Sequence, residues 1–216
     1  MVFQKEFVQK TKDKVISAKH IVIVAHKSPD GDSVGSSLAL YHFLKTLNEK
    51  VQICHPDAAP THFSVLQGFD EIINYNDQQE AVIASVQQAE LIFCLDFNVL
   101  HRLGKEMEEL IARSNAFKVM IDHHLYPSDE FDVVFSDTSS CSTAQLIFEF
   151  IESLDMKANI TVSAGEAMYC GMMTDSGSFR FPSVTPKTHQ VVAQLLSIGV
   201  KNAKIHEAIY DTNTLD

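Results

Sequence analysis

Four stretches of this chain run from apolar residues straight into carboxylates or imidazoles, and that junction most constrains the fold. Ile21-Val22-Ile23-Val24-Ala25 leads into His26, Asp30 and Asp32, and Leu91-Ile92-Phe93-Cys94-Leu95 leads into Asp96. Lys118-Val119-Met120-Ile121 leads into Asp122-His123-His124, and the apolar segment ending in Gly171-Met172-Met173 leads into Asp175. Such runs need burial, whereas ionised groups at their ends must face water or a cation, because an unpaired buried charge is prohibitively costly. The charged groups therefore sit at strand ends, and together they read as a dinuclear metal site.

Between these runs the hydrophobic spacing turns helical. An amphipathic helix is expected over residues 4–18, with Phe7, Val8, Val15 and Ile16 on its apolar side, and a second over 33–48, with Ser33 as its cap. Strands follow at 51–54, 91–95, 118–121 and 133–135, and helices at 78–88, 100–114, 141–154, 160–173, 185–198 and 202–210. Repeated strand and helix alternation implies an α/β fold, a doubly wound and mostly parallel sheet with helices on both faces. Its ligand site is expected at the C-terminal ends of the strands.

The chain has 216 residues, enough for one full domain, and its 45% hydrophobic and 21% charged residues are those of an ordinary globular protein. No apolar run approaches the roughly 20 residues of a membrane span, and the first residues lack the apolar core of a secretion signal. A soluble, cytoplasmic protein is expected. Cys54, Cys94, Cys141 and Cys170 have no CxxC spacing and read as reduced packing residues. The net charge of −11 disfavours a wide basic groove for long duplex nucleic acid but leaves room for a small anionic substrate, part of the charge being the metal site itself.

The chemistry follows from the ligand types. His26 ends a strand, and Gly31 between Asp30 and Asp32 lets the loop turn tightly around an ion. Carboxylate and imidazole donors without thiolates suit Mn²⁺, with Mg²⁺, Co²⁺ or Fe²⁺ compatible, rather than structural zinc. Asp96 alone would read as a cap, and only its company makes it a ligand. One of His123 and His124 is enough for the metal. Asp175 lies at the end of an apolar helix, where its charge opposes the helix dipole and calls for a nearby cation. Arg180 has the fork that binds phosphate, although a surface salt bridge serves equally well, and Ser142 and Thr143 could meet an anion or simply cap a helix.

In order and spacing five motifs resemble the DHH phosphoesterase superfamily: H-x-x-x-D-G-D-S-x-G-S at His26 to Ser36, L-D-x-N at Leu95 to Asn98, D-H-H at Asp122 to His124, S-S-x-S-T-A at Ser139 to Ala144, and T-D-S-G-x-F-x-F at Thr174 to Phe181. The pattern is most similar to the oligoribonuclease and phosphoadenosine-phosphate phosphatase branch, which is RecJ-like and exopolyphosphatase-related. The resemblance implies one cation on His26, Asp30 and Asp96 and another on Asp32, Asp96, His123 and Asp175, with Asp96 bridging. It implies that His124 meets the substrate phosphate, so that His124 and Asp96 are the expected catalytic residues. It also implies a DHH catalytic domain over residues 1–190. A helical segment and the start of an interdomain linker would occupy 191–216, and a C-terminal substrate-binding domain would lie outside this chain.

The expected function is therefore a metal-dependent phosphohydrolase using water activated by two cations. Its substrates would be short single-stranded RNA, 3′-phosphoadenosine 5′-phosphate, or linear dinucleotides, with no membrane partner and a homodimer allowed. Rival readings are an inorganic pyrophosphatase or exopolyphosphatase, and a non-catalytic metal and nucleotide-binding module.

Overall fold

The core is a single sheet of six parallel strands, and a computed structural model describes it over residues 3–210. The strands are β1 (Ile21–Ala25), β2 (Val51–His55), β3 (Ile72–Asn74), β4 (Leu91–Leu95), β5 (Phe117–Asp122) and β6 (Val133–Ser136), in the order β3-β2-β1-β4-β5-β6. Every pairing is parallel, with Ile21 opposite both Val51 and Leu91 and Leu95 opposite Ile121. The chain winds outward from β1 in one direction and from β4 in the other. The crevice between those two strands is the topological switch point at which such sheets place ligands.

Among the described residues eight α-helices pack around the sheet: α1 (Lys5–Ser17), α2 (Gly31–Lys45), α3 (Tyr75–Gln88), α4 (Lys105–Ala112), α5 (Thr143–Ser153), α6 (Val162–Asp175), α7 (Pro186–Ser197) and α8 (Asn202–Tyr210). Alternate strand residues face opposite layers. Ile21, Ile23, Phe93 and Ile121 join α1, α2, α5 and α6 in one buried cluster, with Val191 of α7 and Ile205 of α8 added to it. Val22, Val24, Cys94 and Met120 join α3 and α4 in the other. All four cysteines are free and buried. Among the described residues no helix is long and apolar enough to cross a membrane.

Several local expectations change. Ile16 is exposed, so the apolar side of α1 rests on Val8 and Val15. The cap of α2 is Asp30, whose carboxylate accepts the Asp32 and Ser33 N–H groups at 3.0 Å each, and Ser33 sits three residues inside, completing the capping box. The helix expected over 100–114 is broken by Gly104 at φ 78, leaving a 3₁₀ turn at Leu100–Leu103 ahead of α4. A division at residue 190 would cut α7, whose Val191 and Leu195 lie in the core. The expected linker residues 211–216 lie outside the described residues.

Candidate metal centre

At the switch point the loop after β1, the end of β4, the loop after β5 and the last turn of α6 converge. Asp96, directly after β4, adopts a left-handed conformation (φ 63) that aspartate tolerates better than most residues, and its N–H remains tied to the Ile121 carbonyl (3.1 Å). Its two carboxylate oxygens face two different imidazoles. Oδ2 lies 3.4 Å from His26 Nε2, and Oδ1 lies 3.7 Å from His123 Nε2. His26 Nε2 is also 3.7 Å from Asp30, while His123 Nε2 is 3.8 Å from Asp32 and 3.5 Å from Asp175. Among the described residues three groups have donor atoms close enough to hold a metal ion: His26, Asp30 and Asp96; Asp32, His123 and Asp175; and Asp96, His123 and His124.

Hydrogen bonds fix which ring nitrogen each histidine offers. His26 Nδ1 donates to the Lys27 carbonyl (2.8 Å) and His123 Nδ1 to the Ser140 carbonyl (3.3 Å), leaving both Nε2 atoms to face the carboxylates and to serve as ligands for a cation that displaces any proton held there. His124 is held differently. Its Nδ1 donates to buried Asp122 at 2.7 Å, and its backbone N–H reaches the other Asp122 oxygen at 3.0 Å. The nitrogen of His124 nearest Asp96 is thus already committed, and Nε2 is the one left for another partner. The structure accordingly gives Asp122 a part that the sequence reading left unassigned.

A second ring of groups holds the carboxylates. Asp32 sits at the N-terminus of α5, accepting from Thr143 N–H (2.6 Å), Ala144 N–H (2.9 Å) and Ser36 Oγ (3.3 Å), and Thr143 Oγ1 donates to Asp96 at 2.9 Å. Thr143 therefore braces two acidic side chains rather than standing open to a phosphate. Ser142 is buried and caps α5 by accepting the Gln145 N–H (3.1 Å). Arg180 is exposed, and its Nε donates to the Gly177 carbonyl at 2.6 Å. The arginine that lines the cleft together with His123 and His124 is Arg102, from the 3₁₀ turn after β4. Its signal in the sequence was its place six residues after Asp96, within a segment that reads as plain helix.

The electrostatics are those of a centre crowded with negative charge. Burial raises the Asp32 carboxyl, and the charges of Asp96 and Asp175 raise it further. Burial also raises Asp175; His123 opposes the rise while Asp96 and Asp30 add to it. Burial disfavours a charged His26, but its hydrogen bonds to Asp30 and Asp96 prevail and hold it up to about 10. Burial likewise works against ionised Asp30, yet its bonds from His26 and the Ser33 N–H bring it down to about 2. Nearby His55, buried at the end of β2, is lowered to about 3 by burial and then by the charge of His26. Converging carboxylates and imidazole Nε2 atoms are the donor set of a hard or borderline divalent cation, and such a cation would displace the His26 proton and relieve the repulsion among the carboxylates.

The DHH family N-terminal domain matches residues 20–172, most of the chain and all of the motifs but the last. The chain belongs to the DHH family. It is 30% identical over 190 residues to the bifunctional oligoribonuclease and PAP phosphatase NrnA of Thermus thermophilus, covering 88% of this chain and 53% of that protein. It is 25% identical to the Bacillus subtilis protein of the same name, covering 89% and 57%. A crystal structure of an exopolyphosphatase-related protein from Bacteroides fragilis superimposes with a TM-score of 0.95 at 36% identity, covering 98% of this chain and 62% of that one. The chain thus spans about half the length of the curated relatives it matches.

Proposed function

We propose that this DHH domain belongs to a metal-dependent phosphohydrolase that cleaves short RNA oligonucleotides and 3′-phosphoadenosine 5′-phosphate. The observation that carries the reading is Asp96, buried between His26 and His123 with one carboxylate oxygen toward each. One divalent cation would be held by His26, Asp30 and Asp96 and a second by Asp32, Asp96, His123 and Asp175, with Mn²⁺ the best match to the donors. When bound, the pair supplies a water of lowered pKa and neutralises charge that builds up on the phosphoryl oxygens. His124, oriented by Asp122, donates from Nε2 to the reacting phosphate; its hydrogen bond to Asp122 raises its pKa and favours the form that can do so. Water attacks phosphorus, the bond from phosphorus to the ester oxygen breaks, and that oxygen takes up a proton. The substrates are those that the names of the two NrnA relatives carry, and because the chain spans only about half of those proteins they enter as part of the proposal.

The test compares an RNA dimer, 3′-phosphoadenosine 5′-phosphate and pyrophosphate as substrates with Mn²⁺ present. Release of mononucleotide and of phosphate from the first two is expected. Asp96→Ala should abolish both and weaken Mn²⁺ binding at both sites, whereas His124→Ala should keep its metal and lose turnover by roughly 100-fold. Turnover of pyrophosphate alone, or two tight sites surviving in Asp96→Ala, would overturn the reading.

A further inference from the structure

We propose that the cleft beside the metal centre seats the nucleoside 5′-monophosphate that leaves in this reaction, with Tyr126 against its base and Arg102 on its 5′-phosphate. The inference rests on the hydrolase reading for its chemistry and on the cleft for its geometry. Arg102, Tyr126, Leu125 and Asn98 line the cleft together with His123 and His124, so it opens directly onto the histidine assigned to the reacting phosphate.

Tyr126 is 87% exposed and Leu125 60% exposed, an apolar surface raised beside a polar site. Yet the backbone beneath them is pinned. Asn98 Nδ2 donates to the Leu125 carbonyl at 2.7 Å and the Tyr126 carbonyl at 3.4 Å, and Ser128 N–H donates back to the Asn98 carbonyl at 2.8 Å. Tyr126 is held at φ 60, a left-handed conformation in which a bulky side chain is an outlier. An aromatic ring fixed in an unfavourable backbone and left in water gains nothing from burial in the fold itself. It does offer a flat face to a base, and aromatic stacking tolerates any base because each has a π-face.

Arg102 makes no ion pair among the described residues, although the chain carries a net charge of −11. Its backbone is fixed against the loop that carries His26, since the Arg102 carbonyl accepts the N–H of the next residue, Lys27, at 2.8 Å. An exposed, unpaired guanidinium at that position fits a second phosphate, one that the acidic metal ligands would repel.

The two substrate classes share such a phosphate. In 3′-phosphoadenosine 5′-phosphate the broken bond joins phosphorus to the 3′-oxygen of a nucleoside bearing a 5′-phosphate. In a 5′-phosphorylated RNA dimer, release of the first nucleotide breaks the same kind of bond. In both, water's oxygen ends on phosphorus, and a nucleoside 5′-monophosphate departs with a protonated 3′-oxygen. One seat for that product accounts for both activities.

The experiment measures binding of AMP, adenosine and inorganic phosphate to the Mn²⁺-loaded chain by titration calorimetry. Arg102→Met should weaken AMP at least about tenfold while leaving adenosine and Mn²⁺ unchanged, and Arg102→Lys should recover part of the loss. Tyr126→Ala should weaken AMP and adenosine together and leave inorganic phosphate alone. Both side chains are exposed, and retained Mn²⁺ binding reports that the variants fold. Absence of AMP binding, or AMP binding equal in the wild type and in Arg102→Met, overturns the proposed seat whatever the turnover. Arg102-dependent AMP binding without hydrolysis of either substrate would keep the seat and sink the hydrolase reading.

Discussion

Thr143 shows how much of this centre depends on residues that touch no substrate. Its backbone N–H goes to Asp32 and its hydroxyl to Asp96, so one residue at the start of α5 fixes a carboxylate from the first turn of α2 and another from the end of β4. Removing the hydroxyl while keeping the shape should free Asp96 to turn. Thr143→Val is expected to lower Mn²⁺ affinity by about 10-fold or more, within the range typical of lost outer-sphere hydrogen bonds, and Thr143→Ser should restore most of it. Mn²⁺ titration of both variants decides the point, and equal affinity in wild type and Thr143→Val would reduce Thr143 to a packing residue. The residue types of the centre were legible in the sequence, because carboxylates and imidazoles at the ends of apolar runs have few other uses. The partners were not. Nothing local tells Thr143, which sits in a capping motif, from a phosphate contact, and the bond that decides it spans 47 positions.

At the scale of elements, α2 and α6, which bring Asp32 and Asp175 to the site, approach each other closely. A Cβ on Gly35 would stand 2.6 Å from the Ala167 carbonyl, and one on Gly171 would stand 2.6 Å from Ala144 Cβ and 2.9 Å from Asp32 Oδ1. Gly171→Ala therefore pushes on a braced carboxylate as well as on a neighbouring helix. Overpacking of this kind costs about 1–3 kcal/mol, and here it should also weaken Mn²⁺ binding. Gly165→Ala, whose Cβ would meet Val200 at 2.8 Å on the other side of α6, should lose stability while keeping metal affinity. Urea denaturation and Mn²⁺ titration of the pair separate the two effects; unchanged metal affinity in Gly171→Ala would mean that α5 and α6 simply spread. The long apolar strands were legible for a reason that β3 lacks. β1 and β4 are five-residue buried runs, whereas β3 has only Ile72 and Ile73 before a polar residue and is recognisable by its partner β2 alone.

For the molecule as a whole, the candidate ligands come from parts of the chain that only the folded state brings together. His26 and Asp32 flank the loop between β1 and α2, Asp96 follows β4, His123 follows β5 and Asp175 ends α6, a separation of 149 positions from first to last. The sheet order accounts for this, since β1 and β4 are neighbours in space and far apart in sequence. The unfolded chain has no such site, so a cation that binds here acts on the folding equilibrium. It links the β1–β4–β5 half of the sheet to α6, and it removes the repulsion among Asp32, Asp96 and Asp175. At free Mn²⁺ 100 times its dissociation constant, mass action adds about 2.7 kcal/mol for each site, a gain that shows as a rise in Tm of several degrees for a domain of this size. Thermal melts in EDTA and in excess Mn²⁺ should therefore differ by that much, and adding EDTA to the loaded protein should reverse the gain. In Asp96→Ala most of the difference should vanish, because both groups of ligands lose their shared member. A melting temperature indifferent to Mn²⁺ in the wild-type chain would mean that the converging carboxylates hold no ion tightly, and the two-cation assignment would fall with it.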